Sequence, residues 1–326
     1  MRHANRYCFC LLSLLLVVLT ACAFAGPAAE GSFERTLSVT GPVDLDITTG
    51  SGYIRVRAGS SSAVRVHALI HARDDLRMRG EEKVRYLESH PPIEQTGNTI
   101  RVGRIDNRDY SQNVSISYEV DAPADTRLHG NTGSGEFLAE GIRGPVDAST
   151  GSGNFVGRDI QERVRAKTGS GRIELTGLKS GAEVSTGSGS IRAAGVAGSF
   201  NGSTGSGNIS LEQSAPGDVE AHTGSGTIEL QGVHGALRAG TGSGSITAGG
   251  DPSGEWKVDT SSGSIEIHLN GSAAFDLYAH TSSGKVTVDH PVTVQGTLNR
   301  KEIRGKVRGG GPLVEVRTSS GNIHIQ

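Results

Sequence analysis

Cysteine is nearly missing from this chain, and all of it lies at one end. The three cysteines among 326 residues are Cys8, Cys10 and Cys22. Once an export segment is removed, neither a disulfide framework nor thiol chemistry remains, a lipid on Cys22 excepted. Aromatic residues make up 4% of the chain, too few for a broad ring-lined platform for sugars. Charge of one sign is not in excess: 32 Lys and Arg face 34 Asp and Glu, for a net charge of −2, and nothing in that balance favours nucleic acid. Beyond the N-terminus no apolar run is long enough to cross a bilayer as a helix. Nucleotide loops, Ser-containing hydrolase elbows and zinc-type His/Cys spacings are also missing, so no cofactor or metal is expected.

What is abundant is glycine, with 48 residues, and it falls at fixed offsets. Thr-Gly-Ser-Gly starts at Thr49, Thr132, Thr150, Thr168, Thr186, Thr204, Thr223 and Thr241, and Thr-Ser-Ser-Gly starts at Thr260, Thr281 and Thr318. From Thr132 to Thr260 the step is 18 or 19 residues. A fixed period of this length is the mark of a repeat architecture.

Five residues after each Thr stands an apolar column without a polar member, including Ile54, Phe137, Ile173, Ile209, Ile246 and Ile323. Seven after stands a second, and four before stands a third, including Leu45, Val146, Val164, Leu237 and Trp256. Intervening positions are mostly polar. Period-2 alternation of this kind reads as strands with one buried face. The inward phase is even before the motif and odd after it. A straight strand cannot change phase, so Gly-Ser-Gly must be a corner, with the Thr itself pointing inward. A further inward site ten residues on (Ile142, Ile160, Leu178, Val196, Val233) marks a second bend.

One such unit cannot bury its own apolar face, but stacked units can. The expectation is an all-β fold: a parallel β-solenoid of about 18 residues per coil, expected to be right-handed, and a rod on the order of 50 Å for ten coils at ~4.8 Å. Residues 1–25 read as a signal peptide, with Arg2 and Arg6 before an apolar core and Ala23-Phe24-Ala25 as a cleavage site. Leu19-Thr20-Ala21-Cys22 also resembles a lipobox, which makes Cys22 a candidate for lipidation. Residues 26–131 read as a β-rich cap with one helix over Asp74–Glu88, and residues 132–326 as the solenoid. The chain ends on strand Asn322–Gln326 with no capping helix after it: either the disturbed stretch between Thr281 and Thr318 folds over the end, or the C-terminal coil is uncapped and open to a partner or to self-association.

Candidate sites are few. Three before each Thr, Asp147, Arg165, Glu183, Asn201, Glu220, Arg238 and Lys257 form a column in which acids and bases largely alternate, read as a stabilising ladder. His67 and His71 lie about 13 Å apart on a strand, too far for one ion. Rows of inward Thr do not suit ice binding, because their hydroxyls are better placed to bond backbone groups. Phe137, Phe155, Phe200 and Trp256 fall on inward columns. One basic cluster stands out as a possible anionic-ligand patch: Arg300, Lys301, Arg304, Lys306 and Arg308. A solvated loop is the reading favoured for it over a ligand patch.

The Thr-Gly-Ser-Gly coils, the segment Ile93-Glu94-Gln95-Thr96-Gly97-Asn98-Thr99-Ile100 and the tail from Gly311 to Ile325 resemble a bacterial family of exported β-strand-repeat proteins. That family is of unknown function and is related to adhesin (auto-transporter adhesin head) domains. The resemblance implies a cell-envelope or surface solenoid with no assigned catalytic site, so no functional residue transfers. The expected function is that of a non-enzymatic, adhesin-like envelope or surface scaffold. It would be periplasmic, outer-membrane-associated or extracellular, with an envelope or extracellular polysaccharide or another surface protein as partner. A self-assembling envelope protein is the alternative, and a polysaccharide-active β-helix enzyme a minor one.

Overall fold

The computed structural model describes residues 28–294 and 299–326; the signal-peptide and Cys22 readings lie outside these. Each coil contributes one strand to each of two sheets, of 14 and 15 strands. Coil upon coil the pairing is parallel and in register. Val146, Ala148 and Thr150 lie opposite Val164, Ala166 and Thr168, and Phe155 and Gly157 lie opposite Ile173 and Leu175. The apolar columns meet between the two sheets as one continuous core. Fifteen strands at ~4.8 Å make a rod of roughly 65 Å, longer than expected because the N-terminal and C-terminal segments extend the same sheets.

The corner explains the tetrapeptide. Each motif Thr is buried, and its hydroxyl donates to the backbone of a neighbouring coil. Thr168 donates to Gly153 O at 2.9 Å and accepts from Gly171 N–H at 3.0 Å. Thr186 repeats this with Gly171 and Gly189, at 2.8 and 3.1 Å. The second Gly of the motif is required by close approach. A Cβ on Gly171 would sit 1.7 Å from Gly153 O.

The corners are of two kinds. Where the motif starts at Thr150 to Thr204, the strand stops at the Thr. From Thr223 onward it runs two residues further, as in Val219–Ser225 and Trp256–Ser262. All three Thr-Ser-Ser-Gly copies fall in the second group, where the chain is still extended at the position Ser occupies.

Both ends of the rod are closed by the same exchange of coil order. At the front, Thr99–Val102 and Val114–Ala122 form a coil outside that of Val43–Thr49 and Ile54–Ala58, and the chain then returns to the inner side as Thr126–Thr132 and Phe137–Glu140. At the back, Leu313–Ser320 and Ile323–Ile325 insert between the coil of Trp256 and the coil of Phe275. Of the two readings of this end, the open C-terminal coil is corrected. Both edges of its strand pairs are occupied, so it offers no free edge for self-association. The outermost coil is instead Phe275–Ser283 with Val286–Val288; Glu302–Val307 pairs with Phe275–Ser283 and Val292–Val294 with it in turn, while Val286–Val288 ends the 14-stranded sheet.

The helix is Gly80–Ser89, shorter at its start than expected, because Asp74–Arg79 form a loop, and a one-turn helix, Arg108–Ser111, stands in addition to the one expected. Gly80–Ser89 packs Val84 and Leu87 into the front of the core. On the strand Val114–Ala122 Tyr118 is fully buried, and among the described residues its hydroxyl has no partner. An unbonded buried hydroxyl costs about 1–3 kcal/mol, so Tyr118→Phe is expected to raise unfolding stability by about 1 kcal/mol in a denaturant titration.

Candidate functional site

The ladder three residues before each Thr lies in register on the outer face of the 15-stranded sheet. Arg165 Nε donates to Glu183 Oε2 at 2.9 Å, and Asn201 Nδ2 donates to Glu220 Oε2 at 3.1 Å. The Arg165 hydrogen bond holds the Glu183 carboxyl below the usual carboxylate range. The column continues through Lys257, Glu315 and Tyr278 to Arg304. Arg165 with Glu183, Asn201 with Glu220 and Arg304 with Tyr278 pair within the column.

The basic cluster does not converge on one point. Arg304 stacks over the Tyr278 ring, 4.6 Å from its centroid, and reaches Glu302 at 4.0 Å. Lys306 pairs with Asp276 at 3.6 Å, and Lys301 Nζ donates to Ser282 O at 2.9 Å. The backbone carbonyl of Arg300 accepts from Val286 N–H at the rim of the outermost coil. Arg308 stands past the strand end in the left-handed region, with φ 52°.

A different row gathers polar groups that are not all mutually paired. One residue before each Thr, neighbouring coils place His222, Gly240, Asp259, Arg317 and His280 side by side across the same outer face. Gly240 carries no side chain, and the His222 imidazole leans over it: a Cβ there would lie 2.8 Å from His222 Nδ1. The first Ser of each Thr-Ser-Ser-Gly corner (Ser261, Ser319, Ser282) lines the other side. Together they bound an open notch of about 450 Å³.

Most of the acids near this notch are committed to neighbouring bases. Glu315 is held by Arg317, Glu220 lies 3.4 Å from His222, and Glu302 lies 3.7 Å from His280. Asp259 is different. It is half-buried, and among the described residues no hydrogen bond or ion pair engages its carboxylate. Burial raises its pKa above the usual Asp value, and Glu315 adds to this, while Lys257, Arg317 and His222 oppose it. The notch therefore presents a solvent-facing acceptor with no protein partner among the described residues, beside hydroxyls, imidazoles and a guanidinium. Such a set can accept hydrogen bonds from, and donate them to, a ligand rich in hydroxyl groups.

These residues were missed in the sequence because the outward reading followed the column three before each Thr. The column one before it aligns His222, Asp259, His280 and Arg317. The change from Thr-Gly-Ser-Gly to Thr-Ser-Ser-Gly in the last three copies marked the same place.

Among the described residues no helix is long and apolar enough to cross a membrane. No curated protein matches the chain. Six chains of solved structures do. A candidate cell adhesion protein from Clostridium sporogenes is 12% identical, with 90% of this chain and 99% of that one covered and a TM-score of 0.25. A candidate adhesin from Bacteroides fragilis is 12% identical, with 91% and 97% covered and a TM-score of 0.31. A candidate lipid-binding protein from Parabacteroides distasonis is 17% identical, with 74% and 97% covered and a TM-score of 0.42. Likeness at this level carries no functional inference. The family match is of another order, because the Toastrack family model covers residues 43–326, taking in both exchanged ends and every coil between them: the chain belongs to the Toastrack family, DUF4097.

Proposed function

We propose that this protein is an exported, non-enzymatic binding scaffold of the cell envelope, adhesin-like in role, and that its ligand is a polyhydroxylated chain such as a surface polysaccharide. The observation that carries this reading is the Asp259 notch. Its carboxylate is part-desolvated and engaged by no protein group among the described residues, so it is free to accept hydrogen bonds from a ligand, and it shares the notch with Ser hydroxyls at the coil spacing. A linear glycan laid along the rod axis would meet a new coil every ~4.8 Å.

The non-enzymatic part rests on the neighbouring acids. Glycoside cleavage uses two carboxyl groups working as a pair. Glu315 is held by Arg317 instead, Glu302 has Arg304 and His280 beside it, and Glu220 has His222.

The test is binding of residues 26–326 to envelope and matrix polysaccharide fractions by calorimetry. Asp259→Asn is expected to weaken binding at least tenfold. Binding by the native chain should fall as pH drops through the raised Asp259 value, where the carboxylate gains its proton. The unliganded protein should behave in the opposite sense. A raised folded pKa means the folded state holds the proton more tightly, so stability falls as pH rises through that window. Asp259→Asn should therefore be at least as stable as the native chain at pH 7. Absence of binding to every fraction, or equal binding by Asp259→Asn, overturns the proposal.

A further inference from the structure

Leu76 is the most exposed large apolar side chain among the described residues, at 106% of its reference area; Leu313, at 38%, is the other one that is exposed. It stands at the tip of the loop of residues 73–79, between the strand Ala63–Ala72 and the helix Gly80–Ser89. A loop free to move would fold such a residue back toward the core. This loop is held against that.

Asp75 Oδ1 accepts from Arg77 N–H at 2.7 Å and from Met78 N–H at 2.9 Å. Asp75 N–H donates in turn to Met78 O at 3.1 Å. Asp74 Oδ1 accepts from Gly80 N–H at 2.7 Å. The base is locked by Lys83, which is fully buried. Its ammonium pairs with Asp75 Oδ2 and donates to Gln112 O at 2.7 Å and to Arg73 O at 3.4 Å. A buried ion pair is an inefficient source of stability but a good means of holding geometry. Here it keeps a Leu pointed at solvent.

The loop's charges are arranged around that Leu. Both acids are engaged inward, Asp75 by Lys83 and Asp74 by the helix start. Arg73, Arg77 and Arg79 flank the tip, all exposed. Arg77 is anchored on Asp109 at 3.0 Å, whereas no ion pair holds Arg73 or Arg79 among the described residues. An apolar point ringed by guanidinium groups suits the boundary between lipid headgroups and acyl chains.

The loop's position gives the same answer. Ala29 pairs with Ala72, so the chain emerges from residues 1–27 directly beside the base of this loop. Those residues read as an export segment with Cys22 as a lipidation candidate. The six-residue step from Cys22 to Ala28 spans at most about 21 Å when extended. A chain anchored at Cys22 would keep this end of the rod close to the bilayer.

We propose that the loop of residues 73–79 is a membrane-facing foot: Leu76 enters the headgroup region of an anionic phospholipid bilayer, and Arg73 and Arg79 meet lipid phosphates. Basic side chains held at a bilayer surface add attraction to anionic headgroups. The proposal is independent of the Asp259 notch.

The test is co-sedimentation of residues 26–326, carrying no lipid, at low salt. The vesicles are phosphatidylethanolamine with phosphatidylglycerol, compared with phosphatidylcholine alone. The native chain is expected to partition onto the anionic vesicles and to be released by salt. Leu76→Ser should lower that partition about tenfold, as should the pair Arg73→Gln and Arg79→Gln. Leu76 touches no core, so Leu76→Ser should unfold at the same denaturant concentration as the native chain, which separates lost binding from lost folding. No partition of the native chain, equal partition of Leu76→Ser, or equal partition onto phosphatidylcholine each overturns the proposal.

Discussion

Gly171→Ala is expected to destabilise the rod by at least about 3 kcal/mol, although it adds a single methyl group. The added Cβ would lie 1.7 Å from Gly153 O and 2.9 Å from the Thr168 hydroxyl. Those are the two groups through which one coil is joined to the next at this corner. The coils cannot separate to make room, because each is fixed by its parallel ladder to the coil on either side. Two controls give the result its meaning. Ser170→Ala, on an exposed corner position, should stay within about 0.5 kcal/mol of the native chain. Gly97→Ala, at φ 61° in open space, should cost only about 1 kcal/mol for its left-handed backbone. Denaturant unfolding followed by the emission of Trp256, the one Trp in the chain, measures all three. If Gly171→Ala were as mild as Gly97→Ala, the corner would be tolerant, and the repeated glycine would need another explanation.

Lys83→Met is expected to cost about 3 kcal/mol, at the lower end of what breaking a buried ion pair removes. Met fills much of the same volume, but it leaves the Asp75 carboxylate and the carbonyl of Gln112 without their donor. The damage should be local as well as global. Amide exchange in residues 73–79 should speed up far more than exchange in the coils beyond Thr132. The pH dependence supplies the sign. The Lys83 hydrogen bond, aided by the Arg77 and Met78 amides, lowers the Asp75 pKa to about 2. A depressed acid contributes stability that is present above its unfolded value and is lost as pH falls through its folded value. The stability gap between native and Lys83→Met should therefore close on acidification from the usual Asp range toward pH 2. A gap unchanged over that range would mean that Lys83 acts through packing and not through its charge.

The solenoid was legible because its two rules are local and repeat. Ile173, Ile191 and Ile209 alternate with polar neighbours on every coil, and the phase change across Gly-Ser-Gly requires a corner wherever it occurs. The inward Thr was legible for the same reason, and its hydroxyl does bond backbone carbonyls. The basic cluster was legible as composition only. Its members are dispersed because Tyr278, Asp276 and the carbonyl of Ser282, from a strand distant in sequence, each take one of them.

By itself the sequence determined the coil, its buried columns, its corners and the parallel register, because steric crowding at Gly and burial of alternating side chains act over a few residues and recur at every step. Tertiary structure alone decided the order in which the end coils stack, and with it the closing of the C-terminal edge. That choice depends on which strand edges are free when distant segments meet, and the coils of Thr281 and Thr318 carry nearly the same motif. It also decided that Asp259 stands without a partner while Glu315 does not, and that Leu76 is held in solvent by a lysine buried beneath it. Each depends on which side chains from separate coils come within hydrogen-bonding distance, and the repeat pattern does not encode that.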